Sequence, residues 1–264
     1  MEKHPLAINY KDFKEKIKLM FDDISGLDDN NLNDLELANY SLLKKIDDIY
    51  DDYCTLYDFN KFGSLPSLTR ILFERFMYLM YINHDTIESK EIRAKRYLDR
   101  TVYDTQVFNK YVYDESTQTN SKKIREHFDI DLSEPSLELQ YNPHLLEKAK
   151  IEYELNFQNV KDIKNHKWYE YTDKFTKDGK SVKLHNLKEL CDYFDEYYDN
   201  DLNYSVYYHI CYKNFSSDIH TAASSREEIR NSLRTNKKLK DSSYYNLSIA
   251  LTNVIMIRIF ESIK

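Results

Sequence analysis

The side chains best suited to acid–base or phosphate chemistry are concentrated between residues 203 and 225. If this stretch is an α-helix, spacings of four, three and four residues place several polar side chains on one face. These side chains are His209, Lys213, Ser216 and His220. A second face carries Tyr208 and Tyr212, and the remaining positions are mostly apolar. The sequence therefore predicts a candidate site on this helix.

A second polar pair falls within the most continuously apolar helix of the predicted fold, which runs to about Asn83. Pro66 in its first turn indicates where this helix starts. Arg70 and Glu74 lie four residues apart inside it, the spacing of an ordinary intrahelical ion pair. The pair alone favours that interpretation. The alternative is a functional role, because charges are costly to bury in an apolar helix.

The two helices together suggest one chemical hypothesis. Histidine titrates near neutral pH, so His220 can accept and return a proton. Lys213 or Arg70 can neutralise the charge of a phosphate, and Glu74 can orient a basic partner. Alternatively, these side chains satisfy one another in a polar seam inside the core, and spacing alone favours this alternative.

Other chemistries lack the motifs that they require. The sequence contains no HExxH or paired HxxxH motif, and His209 and His220 are three helical turns apart. We therefore expect neither a metal site nor a cofactor. No GxSxG elbow is present for a serine nucleophile. The three glycines stand far apart, so no glycine-rich loop can cradle a nucleotide phosphate.

Composition predicts the fold class. Three glycines and four prolines in 264 residues leave few turn-forming positions, which favours long helices. We predict an all-α, multi-helix bundle of about seven to nine helices. At most one small β-hairpin is expected, near residues 170–184, with Asp178–Gly179 as its turn. A helical pair at 1–60 should pack on a main helical domain at 61–264, and the whole should form one compact unit.

Hydrophobic periodicity locates the helices that must position the site. They are predicted at 10–24, 32–57, 66–83, 86–114, 142–160, 186–198, 203–225 and 242–263. The helix at 32–57 carries an apolar seam that includes Leu42, Ile46 and Tyr53. Such a seam can pack on other helices of this chain or on a second subunit.

A row of basic residues on the helix at 86–114 could serve a nucleic-acid ligand. Arg93, Arg96 and Arg100 share one face and could contact phosphates. Because acidic residues are interleaved with them, the pattern favours a solvated, mixed-charge face instead.

Charge and targeting signals limit the partners and the compartment that the sequence allows. A net charge of −7 provides no global attraction to nucleic acid. Three unclustered cysteines fit free thiols in a reducing compartment. No signal peptide and no apolar run of about 18 residues is visible. We therefore expect a cytoplasmic protein with no membrane partner.

The order of several residues resembles an uncharacterised bacterial all-α family, a domain of unknown function. Members of that family often look like components of abortive infection or phage defence. The matching residues are Arg70 and Glu74, then Tyr81 and Ile82, then Trp168, then Tyr208, Tyr212, Ser217 and His220. The resemblance covers roughly residues 45–225 and depends on order and spacing, since no single motif is diagnostic.

The stretch KNFSSDIH also resembles the R-N-x(3–5)-H signature of HEPN domains, helical bundles that include many metal-independent ribonucleases. In that family the histidine is thought to assist attack of the RNA 2′-hydroxyl on its phosphodiester at a dimer interface. The basic residue stabilises the charge that develops. Asn214 and His220 match the signature, whereas Lys213 replaces arginine and lacks its bidentate fork.

Two hypotheses follow. The first is a HEPN-like ribonuclease toxin of a defence system, with RNA as substrate and a protein partner or a second copy of the chain. In it His220 transfers protons, Lys213 and Arg70 bind phosphate, and the side chains that bind or position RNA are Asn214, Ser216, Ser217, Tyr208, Tyr212, Arg93, Arg96 and Arg100. The second is a non-catalytic helical sensor or scaffold of a defence complex, in which the polar seam of Arg70, Glu74, the serines and His220 only fixes helix packing.

Overall fold

The computed structural model describes most of the chain. The residues described are 6–25, 32–84, 90–113, 123, 126–127, 141–155, 163, 165–175, 181–198, 202–215, 234 and 243–263. In chain order their elements are α1 (Tyr10–Ser25), α2 (Asp34–Asp58), α3 (Leu65–Asn83), α4 (Lys90–Tyr113), α5 (Pro143–Leu155), β1 (Tyr171–Phe175), β2 (Ser181–Lys183), α6 (Leu187–Tyr197), α7 (Tyr204–His209) and α8 (Ser243–Ser262). The predicted all-α, multi-helix architecture is confirmed.

Local sequence explains where the helices begin. Asn33 caps α2: its side chain accepts a hydrogen bond from the Glu36 backbone N–H, and the Glu36 carboxylate accepts from the Asn33 N–H. Asn186 caps α6 in the same position, accepting from the Glu189 N–H over 3.0 Å. Pro66 lies in the first turn of α3, as predicted.

The chain divides into two compact units. Unit 1 comprises Met1–His84 and Asn186–Lys264, and unit 2 comprises Asp85–His185. This division differs from the predicted boundary near residue 60, because α1 and α2 belong to the same unit as α3. The chain leaves unit 1 after α3 and returns to it at α6.

The core of unit 1 lies where α2 and α8 pack against α3. Of the predicted seam on α2, Leu42, Ile46 and Tyr53 are fully buried. From α8, Ile255 and Ile259 are buried, whereas Leu247 is 36% exposed. Helical periodicity therefore identifies most of this core.

A chain of hydroxyl groups crosses the centre of unit 1. The Thr69 hydroxyl lies 2.6 Å from that of Ser248 and 2.8 Å from that of Thr252, and the Tyr53 hydroxyl is 3.3 Å from Ser248. All four side chains are buried. Because unpaired hydroxyls are costly in a dry interior, these bonds require one relative placement of α2, α3 and α8.

Unit 2 is built from α4, α5 and a short hairpin. The hairpin strands pair antiparallel, with Tyr171 opposite Lys183. It lies within the predicted window of 170–184, although the predicted Asp178–Gly179 turn lies outside the described residues. Trp168, the only tryptophan, packs edge-on against Tyr97 of α4 at 5.2 Å between ring centroids.

The prediction of a solvated arginine face on α4 is wrong. Arg93 is fully buried and Arg96 is 9% exposed. The Arg100 side chain is 16% exposed; its Nη1 donates to the carbonyl oxygens of Ile163 and His166. Arg100 therefore ties α4 to the segment around residues 163–166, and alternation of charge along the sequence did not indicate the burial of Arg93 and Arg96.

No helix within the described ranges is both long enough and apolar enough to span a membrane.

Replacing Thr69 by valine should lower the free energy of unfolding by about 1–3 kcal/mol, because Ser248 and Thr252 would each lose a buried partner. Urea titration measures this change. Thr101→Val is a matched control: its hydroxyl also donates to the carbonyl four residues earlier, but the side chain is only half-buried. If Thr69→Val lowers the free energy of unfolding no more than Thr101→Val does, the role assigned to the hydroxyl chain is contradicted.

Candidate functional site

The structure brings together part of the predicted site. Arg70 and Glu74 on α3 meet Tyr208 of α7 and Tyr212 of the segment that follows it. His220, Ser216 and Ser217 lie outside the described residues, and the side chain of Asn214 is not among those described. The site can therefore be built from the arginine, the glutamate, the tyrosines and Lys213.

The helix that carries this site changes its winding. After α7, residues Ile210–Asn214 form a π-helical turn, and the Phe215 N–H bonds to the carbonyl of Ile210, five residues earlier. The predicted uninterrupted α-helix is wrong over this segment. Because the π turn adds a residue, the 3.6-residue spacing that aligned His209 with Lys213 no longer applies. Lys213 is exposed, whereas His209 is half-buried.

The carboxylate of Glu74 joins α3 to the π turn. The Tyr212 hydroxyl donates to Oε2 over 2.8 Å, and the Tyr78 hydroxyl donates to Oε1 over 2.9 Å. Both carboxylate oxygens are thus occupied by neutral donors. The expected Arg70–Glu74 ion pair does not form, because the glutamate turns towards the tyrosines. Hydrogen bonds to a charged acceptor are about twice as strong as neutral ones, which favours this arrangement.

The guanidinium of Arg70 lies on a tyrosine ring. Its Cζ is 4.4 Å from the centroid of Tyr212, and Tyr208 stacks on Tyr212 with centroids 4.7 Å apart and an interplanar angle of 12°. We call this arrangement the arginine–tyrosine stack. Cation–π contact fixes the guanidinium without neutralising its charge. Within the described ranges no carboxylate forms an ion pair with Arg70.

Burial and the negative charge of Glu74 raise the pKa of the Tyr212 hydroxyl, and Arg70 opposes them. Tyr212 is therefore a neutral hydrogen-bond donor at any physiological pH. Burial likewise raises the pKa of the Cys211 thiol in the π turn, which excludes a reactive thiolate there at neutral pH. The charge available for a ligand comes from Arg70 and the exposed Lys213.

This arrangement suits binding of an anion more than proton transfer. Glu74 already accepts two hydrogen bonds, so its role is to position Tyr212 under Arg70. Arg70 and Lys213 are cations that can bind phosphate oxygens, and a tyrosine ring can stack on a base. Within the described part of the chain, no three histidine, cysteine or acidic side chains are grouped so that they could hold a metal ion.

Sequence reasoning missed a histidine that is held in an aromatic cage. His84, just after α3, is 2% exposed; its Nδ1 lies 2.7 Å from the Tyr198 hydroxyl and its Nε2 lies 3.2 Å from the Tyr193 hydroxyl. The Tyr197 ring packs edge-on against it at 4.1 Å. The cluster of tyrosines at 193–198 was the available signal. With both nitrogens bonded, His84 ties the end of α3 to α6.

Unit 2 contains a second array that sequence reasoning missed. The Tyr153 hydroxyl lies 2.8 Å from His166 Nδ1, and His166 Nε2 lies 3.1 Å from a Glu170 oxygen. Lys183 reaches the other oxygen of Glu170 over 2.7 Å. A hydroxyl, an imidazole and a carboxylate in this order can activate a nucleophile. Here Tyr153 is fully buried and no substrate can reach it, so we assign the array to packing.

The comparisons with known proteins give no relative: no protein-family model, curated protein or solved structure matches the chain. The resemblances described above, including the HEPN-like core, therefore stay predictions.

Tyr212→Phe removes the hydroxyl group and should lower the free energy of unfolding by about 1–2 kcal/mol, because Glu74 loses one of its two hydrogen-bond donors. Tyr208→Phe is the matched control: the ring stays in the stack and the bonds to Glu74 are untouched. Urea unfolding measures both variants. Equal effects of the two would refute the assignment of Glu74 as the link between α3 and the π turn.

Acid should destabilise unit 2. Burial lowers the pKa of His166, although Glu170 opposes this. Burial alone would raise the pKa of Glu170, but the hydrogen bond from Lys183 and the charge of His166 bring it below its ordinary value. Both groups bind fewer protons when folded, so their contribution to stability is present at neutral pH. It declines as the pH falls below the ordinary pKa of histidine and then below that of glutamate.

His166→Gln should reduce this dependence, so that the denaturation midpoint changes less between pH 7.5 and 5.5 than it does in the unmodified protein. His144→Gln alters an exposed histidine of unit 2 and should leave the dependence intact. If the denaturation midpoints of His166→Gln and of the unmodified protein change equally with pH, His166 is not the cause of the acid destabilisation.

Proposed function

We propose that this chain is a HEPN-like, metal-independent ribonuclease that acts as the toxin of a bacterial anti-phage (abortive-infection) system. The proposal depends on the contacts and the charge of Arg70. Its guanidinium is oriented on the Tyr212 ring and is not neutralised by Glu74, although the two residues are one helical turn apart. Phosphate binding requires a fixed, unneutralised cation, and the exposed Lys213, which follows Tyr212 in the chain, is a second positive charge.

The proposed reaction is attack of an RNA 2′-hydroxyl on the adjacent phosphodiester. His220 takes the hydroxyl proton as the new O–P bond forms and returns a proton to the departing 5′-oxygen. Lys213 and Arg70 stabilise the charge on the phosphorane oxygens. Asn214, Ser216 and Ser217 position the strand.

Tyr208 has a separate role in this proposal. It is half-buried and forms the outer layer of the arginine–tyrosine stack, so its ring can stack on a base. Glu74 does not touch RNA; it is a positioning residue that holds Tyr212 under Arg70 through the Tyr212 hydroxyl.

A second candidate function is a non-catalytic sensor or scaffold subunit of a defence complex. The occupation of both Glu74 oxygens by Tyr78 and Tyr212 favours it, because a fully satisfied polar seam is what helix packing alone requires. The net charge of −7 also favours a protein partner over RNA.

The two candidates differ in the effect of His220→Ala and Lys213→Ala. For a ribonuclease, each should reduce cleavage of a labelled RNA in EDTA at least about a hundredfold, since general acid–base catalysis contributes about 10²–10⁴. The melting temperature should be nearly unchanged. Gel analysis of the RNA and thermal melting are measured on the same preparations, and growth inhibition is scored with and without phage.

His144→Ala and Lys150→Ala are matched controls, since both side chains are exposed on α5 of the other unit. Cleavage by His220→Ala at the unmodified rate would refute the catalytic proposal. A large drop in melting temperature with His220→Ala, and no cleavage by the unmodified protein, would support the scaffold.

A further inference from the structure

Unit 1 contains a cavity of about 150 Å³ that is separate from the arginine–tyrosine stack. Four helices contribute to its walls: α1, α2, α3 and α8. Their apolar side chains include Leu43, Phe76 and Leu79, which are buried, and Met80, which is half-buried. An apolar cavity of about this volume accepts a ligand the size of benzene.

None of the described residues that line the cavity is charged. A charged ligand would lose its hydration without gaining a counter-charge, so the cavity selects neutral molecules. Two methionines, Met20 and Met80, line it from different helices. Because a methionine side chain is unbranched and flexible, these two can adapt to a ring that enters between them.

The polar edge of the cavity is a pair of amides. Asn39 Nδ2 donates to Asn83 Oδ1 over 3.2 Å, and Asn83 Nδ2 donates to Asn39 Oδ1 over 2.8 Å. Asn83 Nδ2 also donates to the Leu79 carbonyl over 2.9 Å, which uses its second hydrogen. The pair keeps one N–H of Asn39 and a lone pair on each amide oxygen. It can therefore accept and donate one further hydrogen bond at the same edge.

From these observations we propose that the cavity binds a neutral, single-ring aromatic molecule that carries a carboxamide or lactam edge. The ring lies between Phe76, Leu43 and Leu79, and the amide edge of the ligand pairs with Asn39 and Asn83. The site does not depend on the ribonuclease proposal, because it shares no residue with the arginine–tyrosine stack.

The test uses methionine methyl groups as reporters in the full chain. The protein is labelled with [¹³C-methyl]methionine and titrated with benzamide, which combines the ring and the amide edge. The methyl signals of Met20 and Met80 should shift through the ring current of the ligand. Met256 is fully buried and does not line the cavity, so its signal should stay in place.

Toluene and benzoate test the two halves of the proposal. Toluene lacks the amide edge and should bind about tenfold more weakly, since one hydrogen bond contributes about this factor. Benzoate carries a charge and should cause no shift at the same concentrations. Equal affinities for toluene and benzamide would overturn recognition by the amide pair. Unshifted Met20 and Met80 signals at millimolar benzamide would overturn the whole site.

Met80→Phe should abolish the benzamide-induced shift at Met20, because the larger side chain occupies part of the cavity while the half-buried position tolerates it. Leu145→Phe on α5, 44% exposed in the other unit, is the matched control and should leave the shift unchanged. Thermal melting of each variant confirms that it is folded. A folded Met80→Phe variant that still shows the shift would place the ligand elsewhere and overturn the proposal.

Discussion

The geometry of the candidate site depends on one carboxylate. Glu74 is half-buried on α3, and it is stabilised by hydroxyl donors in place of a counter-charge. Because one donor is Tyr212, the same bonds that stabilise the carboxylate also orient the ring on which Arg70 lies. Glu74 therefore sets both the contact between α3 and the π turn and the direction of the positive charge. A simple ion pair between Glu74 and Arg70 would have left that charge neutralised.

The two units use buried polar groups in the same way. In unit 1, the hydroxyl chain through Thr69 and the cage around His84 define how helices meet; in unit 2, the array through His166 joins α5 to the segment that precedes the hairpin. Tyrosine supplies many of the donors, which gives the 24 tyrosines a physical role beyond composition. The hydroxyl and imidazole groups of these networks bond to one another, so packing in these units is specified by direction as well as by apolar area.

Sequence periodicity predicted the elements better than their contacts. Scarcity of glycine, the proline at 66 and apolar spacing located the helices and much of the core, because these depend on local preference and on burial. The π turn at Ile210–Asn214 was not predictable, since the spacing argument assumed 3.6 residues per turn. The burial of Arg93 was missed because alternation of charge along a sequence does not show which face of a helix is covered by other elements. Arg70 and Glu74 were expected to face the serines and His220 of the helix at 203–225, whereas the contacts of both with Tyr212 required three-dimensional geometry.

The order of the units along the chain has a consequence for synthesis. Unit 2 is encoded by one continuous stretch, whereas unit 1 is assembled from the segments before and after it. A ribosome that releases the chain from its N-terminus completes unit 2 while α3 still lacks α6, the π turn and α8. The apolar surface of α3 stays exposed until residues 186–264 have been synthesised, and chaperones can bind it during that time. Arg70 contacts Tyr212 only after these residues have been synthesised, so a nascent chain lacks the arginine–tyrosine stack.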